Sequence, residues 1–212
     1  RASVAPLADV IRSGDPELKR GAIFSLARLE RKTAVKILRD TLGKVDSETQ
    51  FYVAGRLGQI EKELSDRIIR TRRMLELEPD NLELKVRLAR YNKEYVESGL
   101  LEPSVERYFV RRAIDLCTAV LDEDAGRVDV MIDLAELLAR RGEIVDAIST
   151  YRRVLSIEPE STGARVGLAR AYFKLRDMGN LSVTLDDLAR SGDVPDDLVP
   201  VIEYWTGEPA GA

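Results

Sequence analysis

The chain repeats itself twice along its length, and a fixed repeat spacing leaves few folds open. Residues 7–29 align with residues 38–60 at an offset of 31, which places Asp15 opposite Asp46. The sequence Asp-Pro-Glu at 15–17 starts a helix well, because Asp caps free N–H groups, Pro fits the first position and Glu favours the positive end. Each segment therefore predicts a short helix, a tight turn and a longer helix.

A second repeat has a spacing of 34 residues. Residues 113–126 align with residues 147–160 at that offset, so that Ala113 matches Ala147. Residues 128–161 then carry the pattern of a two-helix unit of this length. The pattern consists of Met131, Leu134, Ala135, Leu138, Gly142, Ala147, Tyr151 and Pro159.

The residues of this pattern have separate packing roles. Small Ala147 lets the two helices approach closely, and Tyr151 fills the gap to the next helix. Gly142 can adopt the left-handed conformation that ends the first helix. Pro159 lacks an N–H group, so the second helix stops before it. The same Glu-Pro pair at residues 78–79 predicts another helix stop there.

These patterns resemble two families of helical-repeat proteins. The segments at the offset of 31 resemble HEAT repeats, and residues 128–161 resemble a tetratricopeptide repeat. The resemblance implies an all-α, right-handed helical-repeat solenoid. HEAT-like pairs in residues 1–80 would merge into a first tetratricopeptide-like unit. Residues 81–212 would hold tetratricopeptide repeats and a C-terminal capping helix, and the whole chain would form one continuous body.

The remaining segments fit this arrangement more loosely. Residues 48–81 suit both repeat types and are predicted to join them. Residues 82–125 predict a helix pair with a longer first helix and an expanded connection at 95–108. Residues 162–191 predict a last pair, and residues 195–205 predict the capping helix. The tetratricopeptide register of the joining unit rests on Phe51, Ala54, Gly55, Met74 and Pro79.

The composition excludes several kinds of site. The 212 residues contain no histidine and one cysteine, Cys117, so His-based catalysis and the usual zinc sites cannot form. No phosphate-binding Gly loop is present, and we expect neither catalysis nor a cofactor. The net charge of −4, with interleaved signs, gives no nucleic-acid-binding patch. No apolar run approaches the roughly 20 residues of a membrane span, so we expect membrane attachment only through a segment that precedes Arg1.

The tetratricopeptide resemblance also implies a binding groove, because the first helix of each pair lines the concave face in that family. An acidic centre between basic flanks suits an extended peptide or a partner helix, although a solvated charged face is the alternative. Glu136 would repel an acidic C-terminal ligand. The predicted groove comprises Arg87, Arg90, Asp129, Ile132, Asp133, Glu136, Arg140, Val166, Arg170, Phe173 and Lys174.

Other charged groups suggest catalytic or surface-binding functions as alternatives. Carboxylate groups at 122–124, 186–187 and 196–197 could in principle serve as an acid and a base in glycoside hydrolysis. Neighbouring residues on a helix diverge in direction, however, so capping and solvation are the favoured roles. Arginines within 70–73 and 111–112 could contact phosphate or a membrane surface, but exposed helix faces explain them more simply.

The order of the parts suggests a narrower resemblance. A short HEAT-like start (GAIFSLARL) precedes FYVAGRLGQIEKELSDRI, an expanded unit (LARYNKEYVESGL) and tetratricopeptide repeats. This order resembles the PelE family, the membrane-anchored subunits of the bacterial Pel exopolysaccharide machine. The resemblance implies a scaffold on the cytoplasmic side of the inner membrane, with a membrane segment before residue 1. Its implied protein partners are the cyclic-di-GMP receptor PelD and the glycosyltransferase PelF.

Overall fold

All regular structure in the described part of the chain is α-helical, which confirms the predicted fold class. A computed structural model describes residues 4–13, 15–26, 29–191, 194 and 198–206. The eleven helices of these residues are α1 (Val4–Ser13), α2 (Pro16–Ser25), α3 (Arg31–Thr41), α4 (Ser47–Leu77), α5 (Leu82–Glu97), α6 (Pro103–Glu123), α7 (Val128–Arg141), α8 (Ile144–Ile157), α9 (Thr162–Leu175), α10 (Met178–Ser191) and α11 (Val199–Thr206). None of these helices is long and apolar enough to span a membrane.

The helices divide into two compact units. The first unit holds residues 1–80 and 91–109, and the second holds residues 81–90 and 110–212. The division passes through α5 and through α6. The predicted division at residue 80 and the continuity of the chain as one body stay predictions.

In the first unit, the two segments aligned at an offset of 31 residues have equivalent helix starts. α1 and α2 have 10 residues each, however, where the repeat predicts a short and a longer helix. Asp15 precedes α2 and accepts a hydrogen bond from the backbone N–H of Leu18 at 2.9 Å, with Pro16 as the first helical residue. Asp46 precedes α4 and accepts from the backbone N–H of Thr49, also at 2.9 Å. Each carboxylate satisfies an N–H group that has no partner within its helix.

Asp46 also gives the first unit a dependence on pH. The Lys19 ammonium donates a hydrogen bond to Oδ2 of Asp46 at 2.5 Å. Hydrogen bonds from Lys19 and from Thr49 hold the pKa of Asp46 well below its usual range. A pKa that is lower in the folded state stabilises the fold above the unfolded-state pKa of about 3.9, and this stabilisation is lost as the pH falls below it.

We therefore expect Asp46→Asn to lower the urea midpoint near neutral pH and to reduce the further loss of stability in acid. Asn still caps a helix, but it cannot pair with the Lys19 ammonium. Urea unfolding between about pH 7 and pH 3 would measure both effects. Asp15→Asn changes the equivalent cap on α2 and serves as the control. An acid profile of Asp46→Asn identical to that of the wild type would contradict the role of this ion pair.

α4 is a single helix of 31 residues, so the tetratricopeptide register predicted for residues 48–81 is wrong. The residues that this register would bury are exposed: Phe51 (77 %), Ala54, Gly55 and Met74. The buried stripe consists instead of Val53, Ile60, Leu64, Ile68 and Thr71. No Gly or Pro occurs between residues 59 and 78, and good helix formers occupy the point where the chain would have to turn.

The connection between α5 and α6 is short, so the expanded connection predicted at 95–108 is wrong. Residues 98–102 alone separate the two helices, because α5 continues to Glu97 and α6 begins at Pro103. Proline suits the first position of a helix, where its missing N–H has no partner to lose. Gly99 turns the chain with a φ of 73°, which costs a glycine little. Residues 82–125 exceed the repeat spacing of 34 residues, and the residues beyond that spacing lengthen α5 and α6 and not the connection between them.

In the second unit, α7 and α8 form the predicted two-helix repeat. Gly142 follows α7 with a φ of 96°, in the left-handed conformation expected for it. Ala135 and Ala147 are fully buried and Tyr151 is almost so. These two helices pack against each other through small side chains, as the pattern predicts.

The last pair, α9 and α10, is confirmed, and α11 follows it. All six residues predicted for its interior are buried: Leu168, Ala169, Tyr172, Leu181, Leu185 and Leu188. α11 packs against α10 and fully buries Ile202. The predicted capping helix therefore exists from residue 199, while residues 195–197 lie outside the described part of the chain.

Both Glu-Pro pairs end a helix, as predicted. The backbone N–H of Glu78 donates to the carbonyl of Met74 at 3.0 Å after the end of α4. The backbone N–H of Glu158 donates to the carbonyl of Val154 at 2.8 Å after the end of α8. The first pair ends a helix of 31 residues and not the second helix of a tetratricopeptide unit.

Candidate protein-interaction face

The predicted groove lies in the second unit, on three helices that each open a helix pair. α5 carries Arg87 and Arg90; α7 carries Asp129, Ile132, Asp133, Glu136 and Arg140; α9 carries Val166, Arg170, Phe173 and Lys174. Side-chain contacts join α5 to α7 and α7 to α9. Within the second unit, α7 therefore contacts both residues 82–90 of α5 and α9, as expected for the first helices of consecutive pairs.

Arg90 connects α5 to the first half of α7. Its Nε donates to Oδ2 of Asp133 at 2.9 Å, and its Nη2 donates to Oδ2 of Asp129 at 2.8 Å. Hydrogen bonding to Asp133, followed by the interaction with Asp129, raises the pKa of Arg90 despite some desolvation. One guanidinium thus bridges two carboxylates that lie one helical turn apart.

Arg127 and Glu83 extend this network, and the sequence analysis did not identify either of them. Arg127 donates from Nε to Oδ1 of Asp129 at 3.1 Å and from Nη1 to Oε1 of Glu83 at 2.8 Å. The hydrogen bonds from Arg127 are the main reason why the pKa of Asp129 lies below its usual range. The position of Arg127 directly before α7 gave only a weak signal, since its partner Glu83 is 44 residues away in sequence.

The network changes how the acidic centre of the predicted groove is understood. Asp129 and Asp133 are engaged by arginines of the same chain. A basic partner would have to compete with these contacts, which are already formed and need no ordering of a second molecule. Arginines of the same chain therefore neutralise most of the negative charge of Asp129 and Asp133.

α7 and α9 are joined at both ends of the predicted groove. Near their first turns, a Cβ added to Gly163 would lie 3.8 Å from Cδ1 of Ile132, an ordinary van der Waals distance. Near their last turns, Nζ of Lys174 donates to the carbonyl of Ala139 at 3.3 Å. This bond places the Lys174 ammonium beside the end of α7, one residue from Arg140.

Val166 does not belong to the accessible part of the groove. Its exposure is only 8 %, because α9 packs against α7, α8 and α10 and has few positions left for solvent. Ile132, at the equivalent position of α7, is half-buried. In contrast, Phe173 is 61 % exposed on α9. The other exposed groove residues are Arg87, Arg90, Asp129, Glu136, Arg140, Arg170 and Lys174.

Tyr151 of α8 lies close to the groove residues Glu136 and Arg170. Burial raises the pKa of Tyr151, the Glu136 charge raises it further and the Arg170 charge lowers it. A Cβ added to Gly167 of α9 would lie 2.2 Å from Cζ of Tyr151, so the ring rests directly on the α9 backbone. The sequence analysis missed Gly167, although a glycine inside a helical pattern often marks such a close approach.

Some of the other carboxylates singled out from the sequence have structural partners. Glu123 accepts a hydrogen bond from Lys85 at 2.7 Å, and Asp187 pairs with Arg190 at 3.1 Å. Residues 196–197 lie outside the described part of the chain. Cys117 is buried. Among the described residues, no group of three or more His, Cys, Asp or Glu side chains is placed to hold a metal ion.

Comparisons with known proteins agree with this helical-repeat arrangement. A family model described as tetratricopeptide repeat (TPR_19) matches residues 110–155, which run from α6 into α8. The crystal structure of TTC0263, a thermophilic TPR protein of Thermus thermophilus, is similar, with a TM-score of 0.58 and 12 % identity over 90 % of this chain and 96 % of that one. MamA of AMB-1 has a TM-score of 0.46 and 21 % identity over 83 % of this chain and 96 % of its own. No curated protein matches the chain.

The identities are low, so the similarity to TTC0263 concerns the fold alone. Together with the match over residues 110–155 and the geometry of α7 and α8, it leads to one conclusion. The chain is an all-α helical-repeat protein with a tetratricopeptide repeat in its second unit.

Proposed function

We propose that this chain is a non-catalytic scaffold that binds a protein partner along the predicted groove. The observation that supports this function is that α7 contacts both residues 82–90 of α5, through Arg90, and α9, through Lys174, with exposed side chains along them. Helices stacked in this way present a preformed surface, so little ordering is lost when a partner segment binds.

Phe173 is the best residue for a test of this proposal. Its ring is 61 % exposed within the predicted groove. Exposed aromatic side chains are frequent anchors in protein interfaces. Asp133 is less suitable, because its substitution would also release Arg90 from a contact between α5 and α7.

The experiment compares two glutamate variants as baits in a pull-down. We expect Phe173→Glu to lose partners that the wild-type chain retains from source-cell extract with solubilised membranes, as identified by mass spectrometry. Val183→Glu is the matched control, because Val183 is 59 % exposed on α10, the second helix of its pair. Circular dichroism would verify that both variants keep wild-type melting curves.

Two outcomes would contradict the proposed face. If both variants retained the same partners, Phe173 would contribute nothing to binding. If Val183→Glu alone lost them, the partner would bind the second helices of the pairs. Turnover of a polysaccharide or nucleotide-sugar substrate by the pure chain would contradict the non-catalytic role.

We further propose that the assembled complex is the Pel exopolysaccharide machine, with PelD and PelF as the protein partners. This proposal is supported by the order of the HEAT-like start, the expanded unit and the tetratricopeptide repeats along the chain, which resembles the order in the PelE family. The proposal includes a location at the cytoplasmic side of the inner membrane, with attachment through a segment outside these residues. Co-purification of PelD or PelF with the tagged chain tests it. Groove-dependent capture of other proteins, without either of these, would reject the Pel assignment and keep the scaffold.

A further inference from the structure

α4 has an exposed side that lies opposite its buried residues. Successive residues of a helix are about 100° apart, which places Val53 and Ile60 together on one side of α4. The same spacing places Phe51, Gly55 and Gly58 together on the other side. The first two residues are buried, and the last three are exposed. This second side of α4 therefore lies at the surface of the first unit.

The exposed side combines an aromatic ring with two glycines. The Phe51 side chain is 77 % exposed. Glycine inside a helix is less favourable than alanine, because it loses more backbone freedom on folding. In the described part of the chain, apart from chain neighbours and the α4 backbone, no atom lies within 4 Å of a Cβ added at Gly55 or Gly58. Packing among the described residues therefore does not account for these glycines, whereas the close approach of a second helix would.

Opposite charges stand at the two ends of the exposed side. Glu48 lies seven residues before Gly55 and Lys62 lies seven residues after it, so each is about 10 Å from Gly55 along the helix. A spacing of seven residues keeps both charges on the side of Gly55. Both side chains are exposed, and neither forms a hydrogen bond or an ion pair with another described residue. The α4 stripe is defined here by its five members: Glu48, Phe51, Gly55, Gly58 and Lys62.

The α4 stripe is complementary to itself when a second copy of the helix runs in the opposite direction. A two-fold axis at Gly55 brings Glu48 of each copy opposite Lys62 of the other copy. The same axis brings Phe51 of each copy opposite Gly58 of the other. A parallel helix would instead place Glu48 against Glu48 and Lys62 against Lys62. The charges therefore favour a second copy of this chain as the occupant, in the antiparallel direction.

We propose that two copies of this chain associate through antiparallel contact of their α4 stripes, with Phe51 of each copy packed on the glycines of the other. Removal of both rings from water favours the contact, and the glycines let the helix axes come close. One pair of helices buries less surface than the large interfaces of obligate dimers, so the association is reversible and depends on concentration. It involves the first unit alone and goes beyond the scaffold function proposed for the groove.

Sedimentation velocity of the full chain, from micromolar to submillimolar concentrations, tests this association. We expect the wild type to shift from the mass of one chain to that of two. Gly55→Leu should raise the dissociation constant at least about tenfold, because a large side chain at the two-fold axis separates the helices. Gly21→Leu is the matched control, since Gly21 is also an exposed helical glycine of the first unit, and a Cβ added there likewise meets open space among the described residues. Circular dichroism should show both variants at least as stable as the wild type, because leucine favours a helix more than glycine does.

Charge exchange tests the antiparallel direction. Lys62→Glu would place two carboxylates opposite each other and should weaken the association several-fold, with a larger loss at low salt. Glu48→Lys should do the same by opposing two ammonium groups, although Glu48 also stabilises the first turn of α4. The double variant Glu48→Lys with Lys62→Glu forms both pairs again in exchanged positions, so its dissociation constant should return close to that of the wild type. A parallel pair predicts no such return, because like charges would face each other in every variant.

A chain that remains monomeric up to submillimolar concentrations would overturn the inference. So would a dimer that Gly55→Leu leaves intact or that Gly21→Leu weakens equally, or a double charge variant that stays as weak as the single ones. If the chain stays monomeric and Phe51→Glu loses a protein that the wild type retains from cell extract, another protein covers the α4 stripe and the inference is rejected. Phe173→Glu should leave self-association unchanged, so this inference and the scaffold function at the groove can fail separately.

Discussion

Replacing Ala147 with arginine is expected to unfold most of the second unit at moderate temperature. Ala147 is fully buried where α7 packs against α8. A long side chain cannot enter this contact without moving a helix, and its charge would be buried without a partner. The two effects together should cost on the order of 4 kcal/mol or more. For a chain of this size that corresponds to a fall in melting temperature on the order of 10 °C.

Thermal melting followed by circular dichroism measures this loss. Ser149→Arg is the control within the same helix, because Ser149 is exposed on α8. Its melting temperature should remain within a few degrees of the wild type, because substitutions at exposed sites usually change stability little. An unchanged melting curve for Ala147→Arg would mean that α7 and α8 do not meet at Ala147.

Gly167→Ala should be the second most damaging of the substitutions considered, although it adds a single methyl group. Within a helix, alanine is normally favoured over glycine by about 1 kcal/mol. Here the new Cβ would lie 2.2 Å from Cζ and 2.6 Å from the hydroxyl oxygen of Tyr151. That ring is almost fully buried, and the close packing of a protein interior resists its displacement. We expect a net destabilisation of about 1–3 kcal/mol by overpacking, measured by urea unfolding.

Glycines of α4 provide the matched comparison. Among the described residues, no atom other than those of the chain neighbours and the backbone of α4 itself lies within 4 Å of a Cβ added at Gly55 or Gly58. Gly55→Ala and Gly58→Ala should therefore stabilise the first unit by about 0.5–1 kcal/mol each. In a Tyr151→Leu background, Gly167→Ala should lose most of its cost, because the conflicting ring is gone. A Gly167→Ala variant that is as stable as the wild type in both backgrounds would contradict the close contact.

The sequence predicted the fold best where each residue of a pattern has its own packing reason. Gly142 ends α7 because the chain there needs a left-handed residue, and Ala147 is buried because α7 comes close. Asp46 was identifiable as a cap from its match to Asp15, since capping is local in sequence. Such local rules can be applied without knowledge of the rest of the molecule.

The errors arose where competing patterns shared the same residues. Phe51 and Met74 fit a tetratricopeptide register, but nothing at the predicted turn could stop the helix, and continuous α4 leaves both side chains exposed. Pro103 lies within the predicted connection at 95–108, although it begins α6. For the groove, the sequence placed the residues on the right helices but could not show that Arg90 and Arg127 engage its acids. Those contacts depend on tertiary packing.

The unbroken length of α4 restricts how this chain can change in length. A residue deleted in mid-helix would turn everything after it by about 100° relative to what precedes it. Ile68 and Thr71 would then leave the buried side that they share with Val53 and Ile60. Ile69 and Arg72 would take their places, so a charged side chain would enter the buried position of Thr71. The five residues between α5 and α6 face no such restriction, because no side of a helix depends on their number. Insertions and deletions among related chains should therefore collect in the connections and spare α4.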